Sequence, residues 1–87
     1  MPEVTAELLA KVKRDIGETG TFNDGAITDL IEEVMDYMSG AGVSDARISA
    51  SAGTISRGVS DLWDNNGGKV ALSPYFKDRV TQLALRR

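Results

Sequence analysis

The sequence predicts an all-α fold: a compact bundle of three to four helices with a flexible small-residue loop between helices two and three. Three observations point there. Apolar residues recur at spacings of three and four along most of the chain. Glycine clusters interrupt that rhythm instead of alternating strand-like segments. A Ser-Pro pair opens the last apolar stretch, where Pro suits the first helical position because its missing N–H needs no partner there. The 87 residues leave room for one domain, 1–87.

The first segment reads as helix from about Pro2 to Asp15. Val4, Leu8, Val12 and Ile16 form one stripe that Leu9 widens, and Lys11, Lys13 and Arg14 suit the negative end of the helix dipole. Gly17 and Gly20 end it. In the second segment Asn23 or Asp24 offers an N-cap, with Phe22 placed to staple onto Ile27. Ile27, Leu30, Ile31, Val34, Met35 and Met38 then make one continuous apolar face, with Asp29, Glu32, Glu33 and Asp36 mostly opposite. Ser39-Gly40-Ala41-Gly42 stops this helix.

Residues 43–54 are dominated by small side chains and read either as the start of a long third helix or as a mobile loop, with Ser44 able to cap a short turn around Ile48. From Thr54, the residues Ile55, Val59, Leu62 and Trp63 line one helical face that ends near Asp64. Gly58 within it costs about 1 kcal/mol against alanine, which points to close packing by a neighbouring backbone. Asn65-Asn66-Gly67-Gly68 is a turn, and Lys69-Val70-Ala71-Leu72 reads as briefly extended. Ser73-Pro74 starts the last helix, whose buried side carries Phe76, Val80, Leu83 and Ala84.

Composition narrows the chemistry. There is no cysteine and no histidine, which removes thiol and imidazole catalysis and points away from zinc and transition metals. No run of about 18 apolar residues is present to span a membrane. Met-Pro-Glu-Val-Thr has neither a basic nor an apolar signal region, so no secretory signal is expected, and the lack of cysteine suits a cytoplasmic life. Asn23-Asp24-Gly25 lacks the ligand spacing of a calcium loop. Gly53-Thr54-Ile55-Ser56-Arg57-Gly58 has the outer glycines of a phosphate loop without the Lys-Ser/Thr that follows them. Five aromatic residues in all do not furnish a sugar-binding cleft for a carboxylate pair. Met35 and Met38 read as core filler. Trp63 reads as a core anchor whose indole N–H finds a partner, or as an interface residue. No catalytic, metal or cofactor site is expected.

The net charge of −3 hides a gradient. Between residues 23 and 43 stand Asp24, Asp29, Glu32, Glu33 and Asp36 with no Lys or Arg. Between 73 and 87 stand Lys77, Arg79, Arg86 and Arg87 against Asp78 alone. Such halves attract within one fold or between copies of the chain.

The stretch Ile55-Ser56-Arg57-Gly58-Val59-Ser60-Asp61-Leu62-Trp63, then Gly68-Lys69-Val70, then Leu72-Ser73-Pro74-Tyr75-Phe76-Lys77-Asp78-Arg79-Val80-Thr81-Gln82-Leu83-Ala84 resembles the C-terminal half of small tailed-phage head–tail connector proteins. These are also described as phage DNA-packaging or head-completion proteins. The signature covers about a third of the chain, and its most telling piece is the helix–Gly turn–Ser-Pro-Tyr-Phe block; the first half matches in plan. The resemblance implies an all-helical structural protein without enzymatic activity or cofactor. It implies a ring homo-oligomer, dodecameric in the virion, that docks under the portal protein after DNA packaging and receives a stopper or tail-completion protein on its far side. DNA would pass through the lumen without specific binding, with no membrane involved, and assembly would take place in the host bacterial cytoplasm. Because the sequence ends soon after Gln82-Leu83, a long C-terminal tail for gripping a partner is not expected.

On that footing the expected subunit or portal interface comprises Glu32, Glu33, Asp36, Arg57, Trp63, Lys77, Arg79, Arg86 and Arg87. The acidic second helix would meet the basic last helix or Arg57 across a subunit boundary. The alternative reading is a small helical nucleic-acid-binding or regulatory protein. Only the last segment offers it a basic recognition helix, and no Lys/Arg cluster carries interleaved aromatics.

Overall fold

The computed structural model describes residues 2–63 and 71–85. Five helices follow one another: α1 (Ala6–Ile16), α2 (Asp24–Gly40), α3 (Asp45–Ser49), α4 (Ala52–Leu62) and α5 (Pro74–Leu85). No strand occurs among the described residues. α4 is the hub. It packs against α1, α2, α3 and α5, and α1 and α3 also lean on α2. The shared core is Val12 of α1, Ile27, Ile31, Val34, Met35 and Met38 of α2, Val43 and Ile48 around α3, Ile55 and Val59 of α4, and Phe76, Val80 and Leu83 of α5.

α1 begins later than Pro2 because Thr5 provides the cap: its Oγ1 accepts the Leu8 N–H at 3.1 Å. Both long helices of the first half stop in the same way. Gly17 and Gly42 take left-handed backbone angles (φ 76° and 98°). The residue after each donates its N–H back across the last turn, Glu18 to the Lys13 carbonyl at 2.9 Å and Val43 to the Met38 carbonyl at 3.0 Å. This is the Schellman arrangement, which only glycine adopts without strain.

The expected staple does not form: Phe22 is 96% exposed. The connection between α1 and α2 is held by polar contacts instead. Lys13 Nζ lies 2.7 Å from Asp24 Oδ1 and also donates to the Gly20 carbonyl, while Asn23 Nδ2 donates to Glu18 Oε1 at 2.9 Å. Asn23 is the N-cap residue of α2 by position, but with its side chain turned to Glu18 it caps no backbone N–H.

Segment 43–54 is neither a long third helix nor a loop throughout. Ser44 caps α3 by accepting the Arg47 N–H at 3.2 Å, Ile48 is fully buried, and the chain breaks at Ala50 and Ser51 before α4 begins at Ala52. The bundle therefore has one short helix more than the expected three to four. Gly58 is tightly packed as expected, but by side chains and not by backbone. A Cβ there would lie 2.6 Å from Phe76 Cε1 and 2.9 Å from Val34 Cγ1. The start of α5 follows the Ser-Pro signal: Ser73 Oγ accepts the Phe76 N–H at 3.1 Å. Residues 65–68, expected as a turn, and the first half of the expected extended stretch 69–72 lie outside the described residues; Ala71 and Leu72 have no regular structure.

Candidate interaction surface

Two charged surfaces stand out, and different elements build them. The first is a groove between α4 and α5, about 590 Å³ in volume, lined by Gly53, Thr54, Arg57, Tyr75, Phe76 and Arg79. The Arg57 guanidinium lies over the Tyr75 ring, 5.3 Å from its centroid, in a cation–π contact. The Tyr75 ring is nevertheless 67% exposed. Arg79 sits one turn after Tyr75 and donates to Gln82 Oε1 at 3.1 Å.

Asp61 organises this groove from below. One of its carboxylate oxygens lies 3.4 Å from Arg57 Nε, and the other accepts the Ser73 N–H at 3.0 Å. A single carboxylate thus holds Arg57 and anchors the residue that caps α5. The Arg57–Asp61 pair has the i, i+4 spacing that brings side chains together on a helix. Among the described residues, those lining the groove comprise two guanidinium groups, a phenol ring and no carboxylate, a donor set suited to planar anions such as carboxylates or phosphates.

The second surface is the outer face of α2. Asp29, Glu32, Glu33 and Asp36 fall at i, i+3, i+4 and i+7, one continuous stripe opposite the buried Ile31, Val34, Met35 and Met38. All four carboxylates are exposed, and none has an ion-pair partner among the described residues. Tyr37, beside the stripe, tilts at 48° against Phe76 with ring centroids 5.8 Å apart. This contact joins α2 to the floor of the groove.

Of the residues singled out in the sequence, Arg57 and Arg79 converge and Lys77 does not share their surface. Two residues along a helix is a turn of roughly 200°, so Lys77 points away from Arg79. Trp63 is half-buried against the core, at the C-terminal cap of α4. Its Nε1 is buried without an acceptor among the described residues, so the expected partner for the indole N–H is not present there. Arg86 and Arg87 lie outside the described residues. Tyr75 and Asp61 were not singled out from the sequence as site residues; the i, i+4 spacing of Arg57 and Asp61 was the available signal.

The remaining polar features are structural. Asp24 is committed to Lys13, and Gly53–Gly58 lies inside α4. On the opposite side of α4 the buried Ser56 hydroxyl donates to Asp15 Oδ2 at 2.7 Å, and Lys11 Nζ reaches the same oxygen at 3.0 Å. The Ser56 hydrogen bond, then that from Lys11, holds the Asp15 carboxyl below its ordinary value of 3.8. Among the described residues no three acidic side chains gather as a metal-holding group, and no helix is long and apolar enough to cross a membrane.

Comparison of the chain with protein-family models, with curated proteins and with solved structures finds no match.

Proposed function

We propose that this chain is a structural subunit of a phage or prophage head–tail connector. In this role it docks as a ring under the portal protein after DNA packaging and extends the DNA channel towards a stopper or tail-completion protein. The observation that carries the proposal is the pair of exposed, oppositely charged surfaces on one small all-helical bundle, neither paired with the other among the described residues. Complementary patches on different faces of one subunit are what a head-to-tail ring requires. The 55–84 sequence resemblance supplies the phage context. The net charge of −3 suits the wall of a passage through which phosphates slide without adhering. The role makes and breaks no bond and calls for no cofactor; its partners are further copies of the chain, the portal and the stopper. Its place is the virion head–tail junction, reached from the host cytoplasm.

Deletion of the gene from its phage tests this reading. The expected outcome is DNA-filled heads and free tails that fail to join, restored by supplying the chain in trans. Normal particles in normal yield would refute it.

A further inference from the structure

We propose that the α4–α5 groove is the seat for the α2 acidic stripe of a second copy of this chain, with Arg57 and Arg79 as receiving cations and Tyr75 as an apolar platform beside them. The inference rests on the reading of the chain as a self-assembling subunit and assigns the contact by which it assembles.

Charge is the first support. Arg57 is paired with Asp61, whereas Arg79 has no carboxylate partner within ion-pair distance among the described residues; Asp78 lies on the adjoining surface with Tyr75 and Gln82. Arg79 is therefore the cation of the groove still open to an incoming carboxylate, and Arg57 is held in place by Asp61 with half of its side chain exposed. The stripe has the converse imbalance: Asp29 with Glu33, and Glu32 with Asp36, are like charges one turn apart. Such pairs each destabilise a helix slightly, and a cationic partner removes that penalty. α2 supplies no counter-ion of its own, since it contains no Lys or Arg.

Shape is the second support. Carboxylates one turn apart on a helix can engage two guanidinium groups that line one groove, and the Arg57–Tyr75 contact fixes one of those groups in place. An exposed tyrosine beside paired arginines is the composition of an interface centre, not of ordinary solvated surface. Lys77 has no part in the seat, because it lies on another side of α5.

The stripe and the groove are different patches of one subunit, so their union is heterologous and propagates head to tail, closing when the rotation between copies allows it. One stripe in one groove is a small contact, so pairwise affinity in solution is weak and the contact strengthens within a closed or templated ring.

The test is sedimentation equilibrium combined with concentration-dependent NMR shifts of the purified chain at low salt, up to about millimolar concentration. The native chain is expected to self-associate, and the association to weaken steeply as salt is raised. The stripe variant (Glu32→Lys, Glu33→Lys) and the groove variant (Arg57→Glu, Arg79→Glu) should each weaken it by at least about tenfold. An equimolar mixture of the two should restore it, since each retains the surface the other has lost. The neutral substitutions Glu33→Gln and Arg79→Gln should act in the same direction to a smaller extent, with unchanged circular dichroism. Absence of self-association, indifference to both reversals, or failure of the mixture to recover would overturn the assignment. So would a groove that retains a single-stranded oligonucleotide, lost in the Arg57→Glu, Arg79→Glu variant, in a chain that does not self-associate. If the charge rules hold but the chain is missing from virions, the connector reading falls and the contact stands. If it is present in virions but associates without regard to these charges, only the contact falls.

Discussion

A methyl group at position 58 has nowhere to go. Phe76 and Val34, the side chains it would meet, are both fully buried, and Val34 is β-branched and stiff. Alanine gains about 1 kcal/mol of helix propensity over glycine, but overpacking a filled core costs about 1–3 kcal/mol, so the packing term wins. Gly58→Ala should therefore lower the urea midpoint, with a net loss of up to about 2 kcal/mol; equal or greater stability would show that the core yields there. Asp15 makes a second prediction at this scale. Its carboxyl is held below 3.8 in the folded chain, so its contribution to stability is complete above that value and is lost as pH falls through the lower folded value. The Ser56 hydroxyl is the leading cause. In Ser56→Ala the Asp15 carboxyl should titrate closer to 3.8 by NMR, and an unmoved midpoint would assign the effect to Lys11 instead.

Among the elements, α5 depends most visibly on a short polar relay. Asp61 accepts the Ser73 N–H and Ser73 accepts the Phe76 N–H, so α4 fixes the point at which α5 starts and hence where Tyr75 and Arg79 project. Ser73→Ala should destabilise the chain by about 1 kcal/mol, as loss of an N-cap does, and should speed amide exchange in the first turn of α5. Unchanged exchange at Phe76 would contradict the cap. Much at this scale was legible in advance. The 3-4 rhythm of α2, the Ser-Pro opening of α5 and the glycine stops are local signals, and local physics decides them. The staple expected of Phe22 is absent because Lys13, from the preceding helix, takes over the 17–23 connection, a tertiary contact that no cap motif encodes. α3 was ambiguous because five residues carry too little periodicity; Ser44 and Ile48 were its only signals. The groove was legible in its parts and not in its assembly. Arg57 and Tyr75 are 18 residues apart in sequence, and only the packing of α5 on α4 places one over the other.

Across the whole molecule the organising feature is the separation of charge. The α2 stripe and the α4–α5 groove occupy different surfaces, linked through the contact of Tyr37 with the buried Phe76, and among the described residues neither satisfies the other. A bundle of 87 residues has a thin core, and covering such surfaces by assembly adds burial that one copy cannot supply. A structural ring subunit must persist in the finished particle at fixed stoichiometry, whereas a regulatory or nucleic-acid-binding protein need not. The most direct measurement of the proposed connector role is quantitative mass spectrometry of purified, DNA-filled phage or prophage particles from the organism that carries the gene, with the portal protein as internal standard. The proposed role predicts this chain at a constant ratio to the portal, consistent with a dodecameric ring, and retained through washes at high salt. Its absence, or an amount that varies from one preparation to the next, would contradict that role.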